Sequence, residues 1–145
     1  MALVRDLNSV KGSHVMSIGR QATVVDAAVL MNDYKIGALV VIDQGKVIGI
    51  FTERDVLRRV VAERRDPDRA SVDEVMTRDI VVCGPDTEID EASLLMKERR
   101  VRHLPVIDTD GGMVGLISIG DINAHHTNSQ EKTIYHLHEY IYGRV

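Results

Sequence analysis

The chain carries one pattern twice, which constrains it to fold as two like units packed on each other. Residues Val24 to Asp43 (VVDAAVLMNDYKIGALVVID) return 65 positions later as Ile89 to Asp108 (IDEASLLMKERRVRHLPVID). Seven of those 20 positions are identical: Ala27/Ala92, Leu30/Leu95, Met31/Met96, Leu39/Leu104, Val41/Val106, Ile42/Ile107 and Asp43/Asp108. Others keep size or charge, among them Val24/Ile89, Asp33/Glu98 and Lys35/Arg100. Shifted by one more residue, Ile48 to Asp55 (IGIFTERD) returns as Val114 to Asp121 (VGLISIGD). Half of a 145-residue chain is too short to bury an adequate core alone, so one domain of two interlocked copies about a pseudo-twofold axis is expected. Any site that one copy builds, the other is expected to build again.

Each copy reads as helix, strand, helix, strand, strand, helix. Short helices are expected at Val4–Val10 and Ser71–Met76, with brief strands at His14–Ile18 and Ile80–Cys83. In the main helices Val24, Ala27, Ala28 and Met31 fall at i, i+3, i+4 and i+7, as do Ile89, Ala92, Ser93 and Met96. The β-rich runs Ala38–Ile42 and Leu104–Ile107 each end in an Asp and a Gly-containing turn, then return as Val47–Phe51 and Met113–Ile117. Final helices begin near Thr52 and Ser118, the first reaching Arg65 before the linker Asp66-Pro67-Asp68. The units are therefore 1–66, 67–127 and a tail, 128–145. In the tail Asn128 with Glu131 gives a capping signal, Ile134, Leu137 and Ile141 an apolar stripe, and Gly143 a stop. That helix covers its own core or binds a partner.

Composition narrows the function. Asp plus Glu outnumber Lys plus Arg by 22 to 18, and one Phe, four Tyr and no Trp leave few stacking platforms, so nucleic acid is not the expected partner. No apolar run approaches a membrane span, and Arg5, Asp6 and Asn8 interrupt any leader-like core. The lone cysteine, Cys83, suits a reducing cytoplasm, where the protein is expected to reside.

Chemistry concentrates in one element: strand, Gly, two apolar residues, Thr or Ser, two residues, Asp, helix. It occurs as Gly49-Ile50-Phe51-Thr52-Glu53-Arg54-Asp55 and Gly115-Leu116-Ile117-Ser118-Ile119-Gly120-Asp121. Taken once, the hydroxyl and the acid three residues later form a capping box. The same geometry suits a nucleotide, with phosphate at free helix-start amides and a carboxylate accepting ribose hydroxyls.

The doubled order of Asp/Glu–helix–Met, apolar–x–x–Leu–(Pro/Val)–Val–Ile–Asp and Gly–apolar–apolar–(Thr/Ser)–x–x–Asp resembles a tandem pair of cystathionine-β-synthase (CBS) domains, a Bateman module, over residues 1–127. The resemblance implies an α/β fold of the α+β kind: two pseudo-symmetric βαββα repeats in one disc, here with a C-terminal helix. It also implies two clefts for AMP, ADP, ATP or other adenosyl ligands, NAD and S-adenosylmethionine included. One cleft would use Thr52, Arg54 and Asp55 with Ile80, Val81, Val82 and Cys83 and with Arg102, His103, Leu104 and Pro105. Asp55 would hold ribose, and Arg102 and His103 would neutralise phosphate. The other would use Ser118, Ile119, Gly120 and Asp121 with Met16, Ser17, Ile18, Ile36, Gly37, Ala38 and Leu39. The first copy has Val40 where the second has Pro105. Arg54, Arg102 and His103 make the first cleft the one for highly charged ligands.

The remaining histidines, His14, His125, His126, His136 and His138, lack the i, i+4 spacing of a chelating helix, and no metal is expected. Arg58, Arg59, Arg64, Arg65 and Arg69 are interleaved with Glu63, Asp66 and Asp68 as on a solvated face. No nucleophile elbow or phosphate loop is present, so the chain reads as a non-enzyme without a catalytic cofactor. The expected function is adenine-nucleotide sensing, with occupancy passed to a protein effector. The alternatives are a ligand-free scaffold and a regulatory subunit of a separate enzyme or transporter. A homodimer is expected, covering apolar helix positions such as Val56, Val60 and Ile122 with help from the tail helix.

Overall fold

The computed structural model describes residues 1–7, 10 and 16–129. Strand β1 (Ser17–Gly19) leads into helix α1 (Val24–Tyr34), the hairpin β2 (Ala38–Asp43) and β3 (Lys46–Thr52), and a short α2 (Glu53–Asp55). The second copy runs through α3 (Val72–Val75), α4 (Ile89–Arg99), the hairpin β4 (His103–Ile107) and β5 (Met113–Ser118), and α5 (Ile119–Ser129). In the first sheet β1 pairs parallel with β2 and β2 antiparallel with β3, while β4 and β5 form a separate antiparallel pair.

The main helices follow the predicted spacing, with Val24, Ala27 and Met31 buried on α1 and Ile89, Ala92 and Met96 on α4. Thr23 opens α1, its hydroxyl accepting the Asp26 amide at 3.1 Å while the Asp26 carboxylate accepts the Thr23 amide at 3.2 Å. Both helices stop at left-handed residues in matching places, Lys35 (φ 55°) and Arg100 (φ 57°).

Four local expectations are corrected. The second copy's strand at Ile80–Cys83 shrinks to one parallel bridge, Cys83 to Val106. The chain turns before it, where the Ile80 amide reaches Arg78 O, and again behind it, where the Thr87 amide reaches Gly84 O, leaving one position in register. In the first copy β1 occupies Ser17–Gly19, and the earlier part of the expected strand lies outside the described residues. The opening helix at Val4–Val10 is a 3-10 turn over Val4–Asp6, with positions 8 and 9 outside the described residues. The helix after Thr52 becomes a π-helical segment over Val56–Val61, marked by the Ala62 amide bonding Leu57 O at 2.9 Å, and it is left at Arg64 (φ 59°) rather than Arg65. Asn128 does not open a new helix, because α5 runs through that position to Ser129. The rest of the expected tail helix lies outside the described residues.

Two hydrophobic cores form, and the opening segments cross between them. Ala70, Val72, Val75 and Met76 pack with Val24, Leu39, Phe51 and Val60, whereas Val4 and Leu7 pack with Ile89, Met96, Leu104 and Ile122. The crossings are alike: Val72 N bonds Ala22 O and Asp73 N bonds Arg20 O, while Val4 N bonds Thr87 O and Arg5 N bonds Pro85 O. Arg5 also pairs with Asp86. Val60 and Ile122, expected to need cover from a partner, are each 1% exposed because these cores already enclose them. The large apolar side chains left outside include Val29, Leu57, Val61 and Leu94.

Candidate functional site

A cavity of about 620 Å³ opens where the start of α2 meets the second copy. Its position follows from the crossing, since the Met76–Thr77 segment that completes the first core lies beside β3. Ile50 and Thr77 exchange amide and carbonyl bonds, each of 2.9 Å, fixing that seam. Residues following Thr77 continue as the cavity wall, and the hairpin β4–β5 closes the far side.

From the expected first cleft, Thr52, Arg54, Asp55, Ile80, Val81, Arg102, His103 and Pro105 line this cavity. Leu104 and Cys83 point into the second core, and Val82 is exposed elsewhere. From the expected second cleft, Gly37, Ser118, Ile119 and Gly120 line the same cavity, so the two helix starts face one shared space. Asp121, Met16, Ser17, Ile18, Ile36, Ala38 and Leu39 do not line it. Ala38 and Leu39 are core residues, 1% and 0% exposed.

Both capping boxes form. At Thr52 the hydroxyl accepts the Asp55 amide at 3.2 Å and Asp55 Oδ2 accepts the Thr52 amide at 3.0 Å. At Ser118 the corresponding bonds are 3.1 Å and 2.8 Å, which turns the Asp121 carboxylate onto its own helix end. The first amide of each helix is engaged too, Glu53 N by Gly37 O and Ile119 N by Arg102 O. Few helix-start amides therefore remain for an anion, and charge must come from side chains. Five arginines line the cavity (Arg54, Arg58, Arg59, Arg100, Arg102) against three carboxylates (Glu53, Asp55, Asp79), inside a chain of net charge −4.

Asp55 is the one buried charged residue among those described. The Thr77 hydroxyl donates to its Oδ1 at 3.1 Å, and Arg59 Nε lies 3.6 Å from the same oxygen. Arg59 Nη1 also donates to Met76 O at 3.1 Å, so this arginine ties the helix bearing Asp55 to the other copy's segment. Thr77, Arg59, Arg58, Asp79, Glu53 and Arg100 were missed from sequence. Arg58 and Arg59 carried a signal, standing one turn beyond Asp55, but the acids interleaved nearby made them read as solvated.

His103 is the one described histidine that lines the cavity. Burial, with the Arg102 guanidinium as a smaller cause, pushes its imidazole below the ordinary value, only partly opposed by Asp121 and Glu53. The ring is neutral at pH 7, so Arg102 carries the charge of the pair. Burial, aided by Glu91, pushes the Cys83 thiol up to about 11. Among the described residues no group of three or more His, Cys, Asp and Glu could hold a metal, and no helix is long and apolar enough to cross a membrane.

Known proteins share the doubled sequence pattern and the fold. The CBS domain model matches twice, at residues 4–62 and 72–125. The CBS domain-containing protein CBSX3, mitochondrial, of Arabidopsis thaliana is 36% identical over 126 residues, 83% of this chain; the chain spans 61% of that relative's length. A putative signal-transduction protein with CBS domains from Burkholderia ambifaria superposes with a TM-score of 0.81 at 37% identity, over 89% of this chain and 98% of that one. The CBS domain pair of protein MJ0100, in complex with 5-methylthioadenosine and S-adenosyl-L-methionine, shares the fold at a TM-score of 0.79 and 22% identity, over 89% of this chain and 98% of its own. With both copies matched in order, and with the crossed cores and shared cavity between them, the chain belongs to the CBS-domain family.

Proposed function

We propose that this protein is a non-enzymatic regulatory module that binds an adenosine ligand in the cavity between its two CBS copies. The observation that carries the reading is the composition of that cavity: a hydroxyl and a buried carboxylate from one copy share it with apolar residues and Arg102 from the other, and five arginines line it against three carboxylates. Ile80, Val81 and Val101 offer apolar surface to an adenine ring. Asp55 offers ribose an acceptor once the hydroxyl of Thr77 turns away from it. The surplus of arginines favours phosphates, so AMP, ADP and ATP rank ahead of NAD and S-adenosylmethionine. The adenosyl compounds bound by the MJ0100 domain pair support the ligand class. Occupancy would act on a protein effector through a homodimer in the cytoplasm, using exposed residues such as Leu57 and Leu94 rather than Val60 and Ile122.

Thermal melts with AMP, ADP, ATP, NAD and S-adenosylmethionine test the reading. A ligand at 100 times its dissociation constant contributes about 2.7 kcal/mol. An upward shift with adenine nucleotides that is lost in Asp55→Asn supports the assignment. If no adenosine compound at millimolar concentration moves the melt, the ligand-free scaffold takes its place.

A further inference from the structure

We infer that His103 couples filling of the cavity by a phosphate-bearing ligand to uptake of a proton, which makes occupancy depend on pH. The inference rests on the cavity being an anion site. Of the described histidines only His103 lines it; His125 and His126 do not. Its backbone is pinned on both sides: His103 pairs with Ser118 across the β4–β5 ladder, and the carbonyl before it accepts Ile119 N at 2.9 Å.

The charged groups acting on the ring come from three elements. Glu53 comes from α2, Asp121 from α5, and Arg102 immediately precedes the ring's own strand. Around the rest of the cavity stand Arg54, Asp55, Arg58, Arg59, Asp79 and Arg100. In the empty protein, burial and Arg102 hold the ring neutral against the pull of two carboxylates. A bound phosphate changes two contributions in one direction. It places negative charge and acceptor oxygens beside the ring, and it neutralises Arg102, which had opposed protonation. Glu53 and Asp121 then support the imidazolium. Because the protonated form binds better, affinity rises as pH falls from above the bound-state pKa to below the free-state one. A full proton corresponds to about tenfold per pH unit.

Calorimetric titration of the full chain with ATP, free of divalent cations, tests this in two buffers of different ionisation heat at pH 7. Native protein and His103→Gln are compared, because the terminal phosphate of ATP also takes up protons near this pH and contributes equally to both. The native chain should take up a larger fraction of a proton than the variant. Its affinity should also rise several-fold more between pH 8 and pH 6. Equal uptake by the two proteins overturns the inference. Should the variant fail to fold, the NMR titration of the His103 ring decides: its midpoint must move up with ATP, and an unmoved midpoint overturns the coupling. Pyrophosphate separates the two ideas. Binding of pyrophosphate but not ATP, with His103-dependent uptake, keeps the coupling and sinks the adenosine reading; binding of neither anion sinks both.

Discussion

Gly49→Ala tests the seam on which the cavity is built. Gly49 lies within β3 opposite Val41, and a Cβ there would stand 2.7 Å from Met76 Sδ and 2.8 Å from Thr77 O. The second distance falls 0.6 Å short of the 3.4 Å at which ordinary contact begins. Met76 is 2% exposed and has little room to yield, and the Thr77 carbonyl is held by Ile50 N at 2.9 Å with a return bond of equal length. Relief must stretch both bonds of the bridge. Forcing one methyl into such a place costs about 2 kcal/mol, a fall of roughly 7 °C in melting temperature for a domain of this size. The displacement also draws the Thr77 hydroxyl off Asp55 and should weaken adenine-nucleotide binding. Gly120→Ala is the control, since its Cβ meets only Ser118 Oγ at 3.5 Å and the position is helical; it should be neutral or stabilise by up to about 1 kcal/mol. Thermal and urea unfolding of the two variants give the answer. A Gly49→Ala protein melting within about 1 °C of native refutes the argument that the seam is closed to a side chain.

Three further outcomes are expected. Arg102→Ala should weaken ATP by about tenfold and AMP less, because it removes a charge-assisted contact and leaves the sugar site; equal losses in calorimetry would move Arg102 away from the phosphates. Cys83, buried and with its thiol raised, should resist a disulfide reagent at pH 7.5 in the native state and react fully in urea; rapid native labelling contradicts its placement. The empty protein should lose stability in acid through His103. Its ring pKa is depressed on folding, so the contribution is complete above the ordinary value of about 6.5 and is lost as pH falls below it. Urea midpoints at pH 7.5 and 5.5 should therefore fall further for native protein than for His103→Gln.

The parts of the fold set by local pattern were legible in the sequence. Helical spacing in Val24–Met31 and Ile89–Met96, the hairpin turns and the two capping boxes depend on residues close in the chain, and all appear where expected. Periodicity says that a face is apolar, however, not which copy buries it. The exchange of Val4 and Leu7 for Val72 and Val75 was invisible for that reason, as was the burial of Val60 and Ile122. Of the repeated motif, Thr52, Asp55 and Ser118 line the cavity and Asp121 does not, while Thr77, Asp79 and Arg59 line it without any motif that marks them in the sequence. Thr77 and Arg59 act through contacts across the seam, and nothing beside them in the chain marks it. His103 lies at the cavity, where burial disfavours its protonated form, an effect of packing that its sequence neighbours do not carry.

The crossing of the opening segments dictates how the chain must be completed during synthesis. The first core lacks a wall until Met76 has been made, beyond the end of its own copy. The second cannot close until Ile122 meets Val4 and Leu7, which were made first. Cleavage between the copies would leave two pieces, each holding part of the other's interior. A single-copy chain using the same exchange could complete its core only with a second molecule, each donating its leading segment to the other. The duplication encloses such a pair within one polypeptide, and the two donated segments are then free to diverge.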